Sequence, residues 1–466
     1  MKNLRHLICC LVLSAPGLAV AETDQDYEDA TFTGAKNKPV KADIEEVALP
    51  DTPEASSADS LQLYPDQVYE GARVLNMDIK FVAACYDAVQ LVYHRRYAEA
   101  KVAFEKAQRR YPDSALGPIG KVLIYQALML ENLDFSFEKQ YELAAKQARQ
   151  QLTQALEVRG NDAWEHFIFG GVLGIDAIHS MRRGNYLTSL NRALEAMKSI
   201  ERAKKIAPDF PDLKLGDGLY NYWRTVISRS VKGLPDFADK RKLGIKQMEY
   251  VQDNGIFLGP AATFALTYTW LEEGALKRAT QSALLNHRAY PDNVVNNIML
   301  GRLYMYRRKY QSSETYFKSA VRISPENKRV YYFMTRMYLR QKRLTDAESN
   351  IDKYLEFELS KRDRARALMQ KSLIYYRRKN WDTAEKLAAQ AWKVGKLKRA
   401  KKRIASIKRA REREANKPKR EAPPALGPNG KSPPPSKAKA TKAAKAAKAA
   451  KAARVKKKAE ERAKEE

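Results

Sequence analysis

The chain has 466 residues, 30% of them charged and 44% apolar, with Lys and Arg outnumbering Asp and Glu to give a formal charge of +30. The apolar fraction is that of an ordinary globular protein. The cation excess calls for a polyanionic or acidic neighbour: nucleic acid, a membrane surface or an acidic polymer.

Residues 1–21 read as a secretory signal peptide. Lys2 and Arg5 give a positive start, Leu7 to Leu13 is an apolar run, Pro16 and Gly17 break it, and Ala19-Val20-Ala21 is a small-x-small cleavage site. The run is too short to cross a bilayer, which takes roughly 20 apolar residues. The expected product is a periplasmic or cell-envelope protein beginning at Glu22. Cys9 and Cys10 lie in the leader, so Cys85 alone remains and an internal disulfide is excluded. Its place on the inner helix of a repeat suits a small buried apolar residue.

Residues 22–66 form an acidic arm, with twelve Asp or Glu against Lys36, Lys38 and Lys41, broken by Pro39, Pro50, Pro53 and Pro65. Such a segment buries too little apolar surface to fold alone and is expected to be disordered. From 67 to 398 the apolar residues recur at helical spacing. Pro291 and Pro325 stand 34 residues apart, and the stretch between them reads helix, turn, helix. A hairpin of that period cannot bury its apolar face alone and must stack on copies of itself.

The copies align. In 294–327, Leu300, Gly301 and Tyr304 mark the first helix, Phe317 and Ala320 the second, and Pro325 the end. The second helix of 81–114 carries Ala100, Phe104, Ala107 and Pro112; 260–293 carries Leu266, Trp270, Ala279 and Pro291. In 328–361 the marks are Met334, Tyr338, Ala347 and Ile351, and in 365–398 they are Ser372, Tyr375, Ala384, Ala388 and Ala391. Small residues let the helices of a hairpin approach, aromatics fill the gap to the next hairpin, and proline stops the helix. This register resembles the tetratricopeptide repeat, with Thr335 and Ser372 where that repeat has Gly or Ala. The resemblance implies an all-α, right-handed solenoid of about seven stacked hairpins that binds partner proteins in its concave groove and performs no catalysis.

Residues 67–259 are the divergent part and 260–398 the regular array. In the middle, the second-helix marks (Ala148, Leu152 and Ala155, then Ala196, Ile200, Ala203 and Pro208) recur at more than 34 residues, so the helices are longer or loops intervene. Arg182-Arg183-Gly184-Asn185 reads as a turn, and Gly216 and Gly218 as a close helix crossing with Tyr222 and Trp223 packed on the next hairpin. Residues 399–417 read as a basic capping helix. Residues 418–466 follow as a Pro-rich spacer and a Lys/Ala-rich tail, expected to be disordered until it meets a polyanion. Its contacts would be Lys442, Lys445, Lys448, Lys451, Lys456, Lys457 and Lys458.

Enzyme motifs are absent: no phosphate-binding glycine loop, no paired histidines beside a glutamate, no Gly-x-Ser-x-Gly. His94, His166, His179 and His287 are scattered without ligand spacing, so no metal or cofactor is expected. Glu272-Glu273 reads as a solvated helix end. Two constellations remain. The intra-hairpin turns carry Arg95-Arg96, Arg307-Arg308-Lys309, Lys342-Arg343 and Arg377-Arg378-Lys379, which stacking would align into a basic edge; cations at a helix C-terminus also satisfy the backbone dipole, at about 0.3–1 kcal/mol each. The groove positions of the repeat fall on Arg302, Met305, Tyr306, Tyr332, Arg336, Arg340, Met369, Tyr376 and Arg377, a surface for an acidic, partly apolar peptide; the aromatics would equally serve to pack neighbouring repeats. The expected function is a non-enzymatic envelope scaffold with a tail that attaches to an anionic polymer or membrane. The alternative is nucleic-acid binding through the Lys-Ala-Ala tail.

Overall fold

The computed structural model describes residues 63–160, 162–230 and 238–416. The leader, nearly all of the acidic arm and the C-terminal tail lie outside the described residues. The described chain is all-α, with no strand among its elements. It divides into two compact units after Ala400, and the stacked hairpins lie in the first.

Helix α1 (Asp66–Leu75) leads into eight hairpins. They are α2 (Ile79–Tyr93) with α3 (Tyr97–Arg110), α4 (Leu116–Asn132) with α5 (Glu138–Val158), α6 (Ala163–Arg182) with α7 (Tyr186–Ile206), and α8 (Leu213–Ser230) with α9 (Arg241–Asn254). The array continues as α10 (Gly259–Glu272) with α11 (Leu276–Ala289), α12 (Val294–Tyr306) with α13 (Tyr310–Ile323), α14 (Lys328–Arg340) with α15 (Leu344–Glu356), and α16 (Lys361–Arg377) with α17 (Trp381–Gly395). Helix α18 spans Lys398–Ala415. The expected count of about seven hairpins thus becomes eight. The irregular spacing of the middle comes from helix length: α5, α6 and α7 run 20–21 residues, whereas α10 to α15 run 13–14.

The marks of the repeat sit where packing needs them. A Cβ on Gly301 would lie 2.5 Å from the Phe317 ring, so the missing side chain lets α13 close onto α12. Phe317 is fully buried there, a contribution of about 1.5–3 kcal/mol. The glycine crossing is present too: a Cβ on Gly244 would lie 2.5 Å from the Gly218 carbonyl oxygen. Tyr222 reaches the next hairpin and donates to Glu273 Oε1 at 2.8 Å. Ser372 is fully buried, and its hydroxyl donates to the Ala384 carbonyl at 2.7 Å, tying α16 to α17. Cys85 is buried, and burial pushes its thiol up.

Helix starts are capped by side chains. Asp162 accepts from Trp164 N and Glu165 N, Asn293 from Asn296 N, Asn327 from Arg329 N and Asn380 from Thr383 N. Intra-hairpin turns share one left-handed residue: Arg95, Gly184, Gly274, Arg308, Lys342 and Lys379, with φ between 59° and 83°.

First helices of neighbouring hairpins touch one another, as α2 with α4 and α14 with α16; no two second helices pack comparably among the described residues. The array therefore curves with its first helices inside. That curvature is tight enough to bring distant hairpins together. Tyr93 Oη donates to the Phe257 carbonyl at 3.1 Å, Tyr290 Oη to Gln90 Oε1 at 2.7 Å, and Asn327 Nδ2 to the Glu131 carbonyl at 3.0 Å. Arg95 bridges Glu131 at 2.8 Å and Glu326 at 3.8 Å. The three hydrogen-bonded pairs lie 164–200 residues apart in sequence, and Arg95 and Glu326 lie farther still. Behind them an aromatic chain fills the inside of the early hairpins: Phe81 on Trp164 at 5.5 Å, Trp164 on Phe257 at 5.4 Å, and Phe167 on Phe210 at 4.8 Å between ring centroids. Asp212 pins that region by accepting from the backbone N–H of Ile256, Phe257 and Leu258. The early hairpins thus fill their inner side with their own rings and contacts.

Candidate partner-binding face

The inner helices of the last two hairpins, α14 and α16, are rich in cations, and α12 before them adds one. Helix α12 carries Arg302; α14 carries Lys328, Arg329, Arg336 and Arg340; α16 carries Lys361, Arg362, Arg364, Arg366, Lys371 and Arg377. Asp363 is the sole acid among those three helices. Their outer partners reverse the balance: α13, α15 and α17 hold Glu314, Asp346, Glu348, Asp352, Glu356, Asp382 and Glu385 against five cations.

The centre of the face is Tyr306. Burial pushes its phenol up, but the guanidiniums of Arg302 and Arg336, a hydrogen bond with Arg302, and Arg340 outweigh burial and hold it below its ordinary value. Arg340 is itself held below its usual range, by burial and then by Arg336. Three guanidiniums from two adjacent inner helices therefore share one patch of positive potential. Arg302 also stacks over the Phe333 ring at 4.7 Å.

The expected groove residues divide accordingly. Arg336, Arg340, Tyr306, Tyr332, Met369 and Tyr376 are half-buried on this face and Arg377 is exposed, donating to the Leu339 carbonyl. Arg302 is nearly buried, at 7% exposure. Tyr332 also packs on Tyr354 at 5.4 Å and Tyr376 on Trp381 at 5.3 Å, so both serve interhelix packing as well. Met305 is a correction: it is 0% exposed, in the core with Phe317, Phe333 and Met337, and lines nothing. It sits one helical step past the face-forming register, which turns it inward.

The basic edge is neutralised in part by its own neighbours. Arg96 pairs with Glu99, Arg343 with Glu314 and Asp346 at 2.8 Å each, and Arg378 with Glu348. Arg95 is consumed by Glu131 and Glu326. Arg307 lies over the Tyr304 ring at 5.7 Å, while Arg308, Lys309, Lys342 and Lys379 are exposed at the turns. Residues Lys442 to Lys458 of the tail lie outside the described residues.

Elsewhere the polar groups serve structure. Glu273 is a second correction: its side chain is 2% exposed and pairs at 2.9 Å with Arg241, itself 3% exposed. Glu272 beside it is pushed up, first by burial and then by Glu273. His179 meets Glu138 at 3.2 Å, and Glu142 lies close enough that the three could hold a metal ion. Arg183 already pairs with Glu138 at 2.8 Å, so the donor set fits an ion-pair network better than a cation. His166 meets Ser199 at 3.3 Å, but both are buried and the serine hydroxyl donates to the His166 carbonyl, a packing contact with no cleft. No helix among the described residues is long and apolar enough to cross a membrane.

No family model matches the chain, and no curated protein matches it. Solved structures similar to it are helical-repeat proteins. The pilF protein of Pseudomonas aeruginosa is 13% identical, over 53% of this chain and 99% of that one, with a TM-score of 0.39. A tetratricopeptide repeat protein of Parabacteroides merdae is 15% identical, over 61% and 98%, at 0.34. Human IFIT1, solved as a dimer with m7Gppp-AAAA, is 15% identical, over 75% and 86%, at 0.44. At these values the likeness is no guide to activity. The hairpin geometry itself defines the class: an α-solenoid of tetratricopeptide type.

Proposed function

We propose that this protein is a non-enzymatic scaffold that holds an acidic segment of a partner protein on the inner face of α12, α14 and α16. The observation that carries the reading is the cation excess of the inner helices α14 and α16, ten Lys or Arg against Asp363 alone, with Arg302, Arg336 and Arg340 gathered around Tyr306. A backbone dipole or solubility would favour cations without regard to face. Guanidiniums beside tyrosines supply bidentate hydrogen bonding and aromatic area, the chemistry that anchors carboxylate-rich peptides. The test is binding of a fluorescent Glu/Tyr-rich peptide. Arg336→Glu with Arg340→Glu should weaken it more than ten-fold, and added salt should weaken it in the unsubstituted protein. Unchanged binding in the double variant would reject the face.

The leader pattern supports export, and the tail supports attachment to an anionic surface in the envelope, since each Lys or Arg near such a surface contributes about 1 kcal/mol. N-terminal sequencing should find Glu22 first. Deleting 418–466 should abolish salt-sensitive adhesion to anionic vesicles and spare peptide binding. Retention of the tail by duplex DNA but not by vesicles would favour the nucleic-acid reading instead.

A further inference from the structure

The cationic face has a candidate occupant within the same chain. Residues 22–62 carry eleven Asp or Glu against three lysines, and the densest run, Glu22 to Asp29, includes Tyr27, with Phe32 just beyond. Acidic groups interleaved with aromatics are the complement of guanidiniums interleaved with tyrosines. Of the outer helices α15 is net acidic, with four acids against Lys353, while α13 and α17 come close to balance, so that side of these hairpins offers no comparable excess of cations. The arm is also tethered nearby. It joins the chain just before α1, and the hairpin that follows α1 is fixed against the end of α11, just ahead of α12, through Tyr93 on Tyr290 (5.5 Å between ring centroids). Forty-one residues extend at most about 135 Å at ~3.3 Å each, whereas three adjacent helices at 8–10 Å spacing span only about 20 Å. A tether this generous relative to its target places the arm at an effective concentration in the millimolar range.

We propose that residues 22–62 occupy the α12–α14–α16 face in the unliganded protein, so that a partner binds by displacing the chain's own acidic arm. The proposal rests on the reading of that face as an acceptor for acidic segments. Displacement would set a threshold: only a partner more acidic, or more concentrated, than the arm gains entry.

The experiment uses the full mature chain, the chain lacking 22–62, and the latter carrying Arg336→Glu and Arg340→Glu, each titrated with the same labelled Glu/Tyr-rich peptide. Deleting the arm should tighten binding at least ten-fold, and a synthetic 22–62 peptide added in trans should compete it away. Equal affinity with and without the arm, while the charge reversal abolishes binding, would overturn the autoinhibition and leave the acceptor reading standing. Absence of binding in all three would overturn both. If the gain on deleting the arm disappears in a chain that also lacks 418–466, the arm pairs with the tail, and the proposal fails. Arg340→Gln, with helicity checked by circular dichroism, provides a milder variant should the double reversal misfold.

Discussion

The first five hairpins and the last three are built from the same unit and used differently. In α2, α4, α6, α8 and α10 the inner helices carry as many acids as cations, and their charged groups are turned to internal pairing: Glu131 with Arg95, Asp176 with Arg149, Glu165 with Arg159. Aromatic rings fill the space those helices enclose. In α12, α14 and α16 acids are nearly absent, and burial, then the neighbouring Arg336, holds Arg340 below its ordinary range. Like charges that repel in the folded state bring no stability. The early hairpins therefore read as a closed support and the late ones as a presenting surface.

The contrast can be broken at several depths. The largest effect is expected at Glu273. Glu273→Ala leaves buried Arg241 to the Asp239 carboxylate and removes one of two acceptors of Tyr222, and should cost about 3 kcal/mol in urea unfolding. Arg336→Glu with Arg340→Glu, at half-buried positions, should cost clearly less, about 1 kcal/mol. A comparable loss at both places would erase the distinction. Next comes Gly244→Ala, which drives a methyl into the Gly218 carbonyl and Tyr222; overpacking of this kind costs about 1–3 kcal/mol, read as a shift in denaturation midpoint.

Glu165 gives the support a pH signature. Burial pushes its carboxyl up from 4.5 to about 7, against Arg159. A carboxyl raised by folding favours the fold when protonated. Its contribution is therefore complete below about pH 4.5 and is lost as pH rises through about 7. Glu165→Gln should flatten this part of the stability profile, by on the order of 1–3 kcal/mol. The smallest expected effect is at a turn. Lys342 holds φ +60°, where Gly184 and Gly274 sit in other hairpins. Lys342→Gly should raise the denaturation midpoint slightly, by about 1 kcal/mol or less, while leaving peptide binding unchanged if the turn cations are not part of the face.

The hairpins of 260–361 were legible because helices of 13–14 residues keep the 34-residue period, and because Gly301, Phe317 and Pro325 each answer a local packing demand. The middle was less so, since α5 to α7 lengthen without any mark that fixes where a turn must come. On the candidate face, Arg336 and Arg340 followed from register, whereas Met305 did not, because one residue's error rotates a side chain by about 100°. The charge segregation between inner and outer helices was present in the sequence and emerges once the two helices of each hairpin are counted separately. The closure of the early hairpins was illegible: pairs such as Tyr290 with Gln90 leave no periodic trace. The burial of Glu273 had the same cause, its partner lying 32 residues away on another helix.

The hydrogen bond from Asn327 to Glu131 has a consequence for how this molecule can change over evolutionary time. Solenoids whose units touch only their neighbours gain and lose copies freely. Here a duplicated or deleted hairpin between 131 and 327 would rotate everything downstream out of phase, and Asn327 would face the wrong carbonyl. The number of units in that interval is thereby locked, while variation in copy number remains open only beyond it.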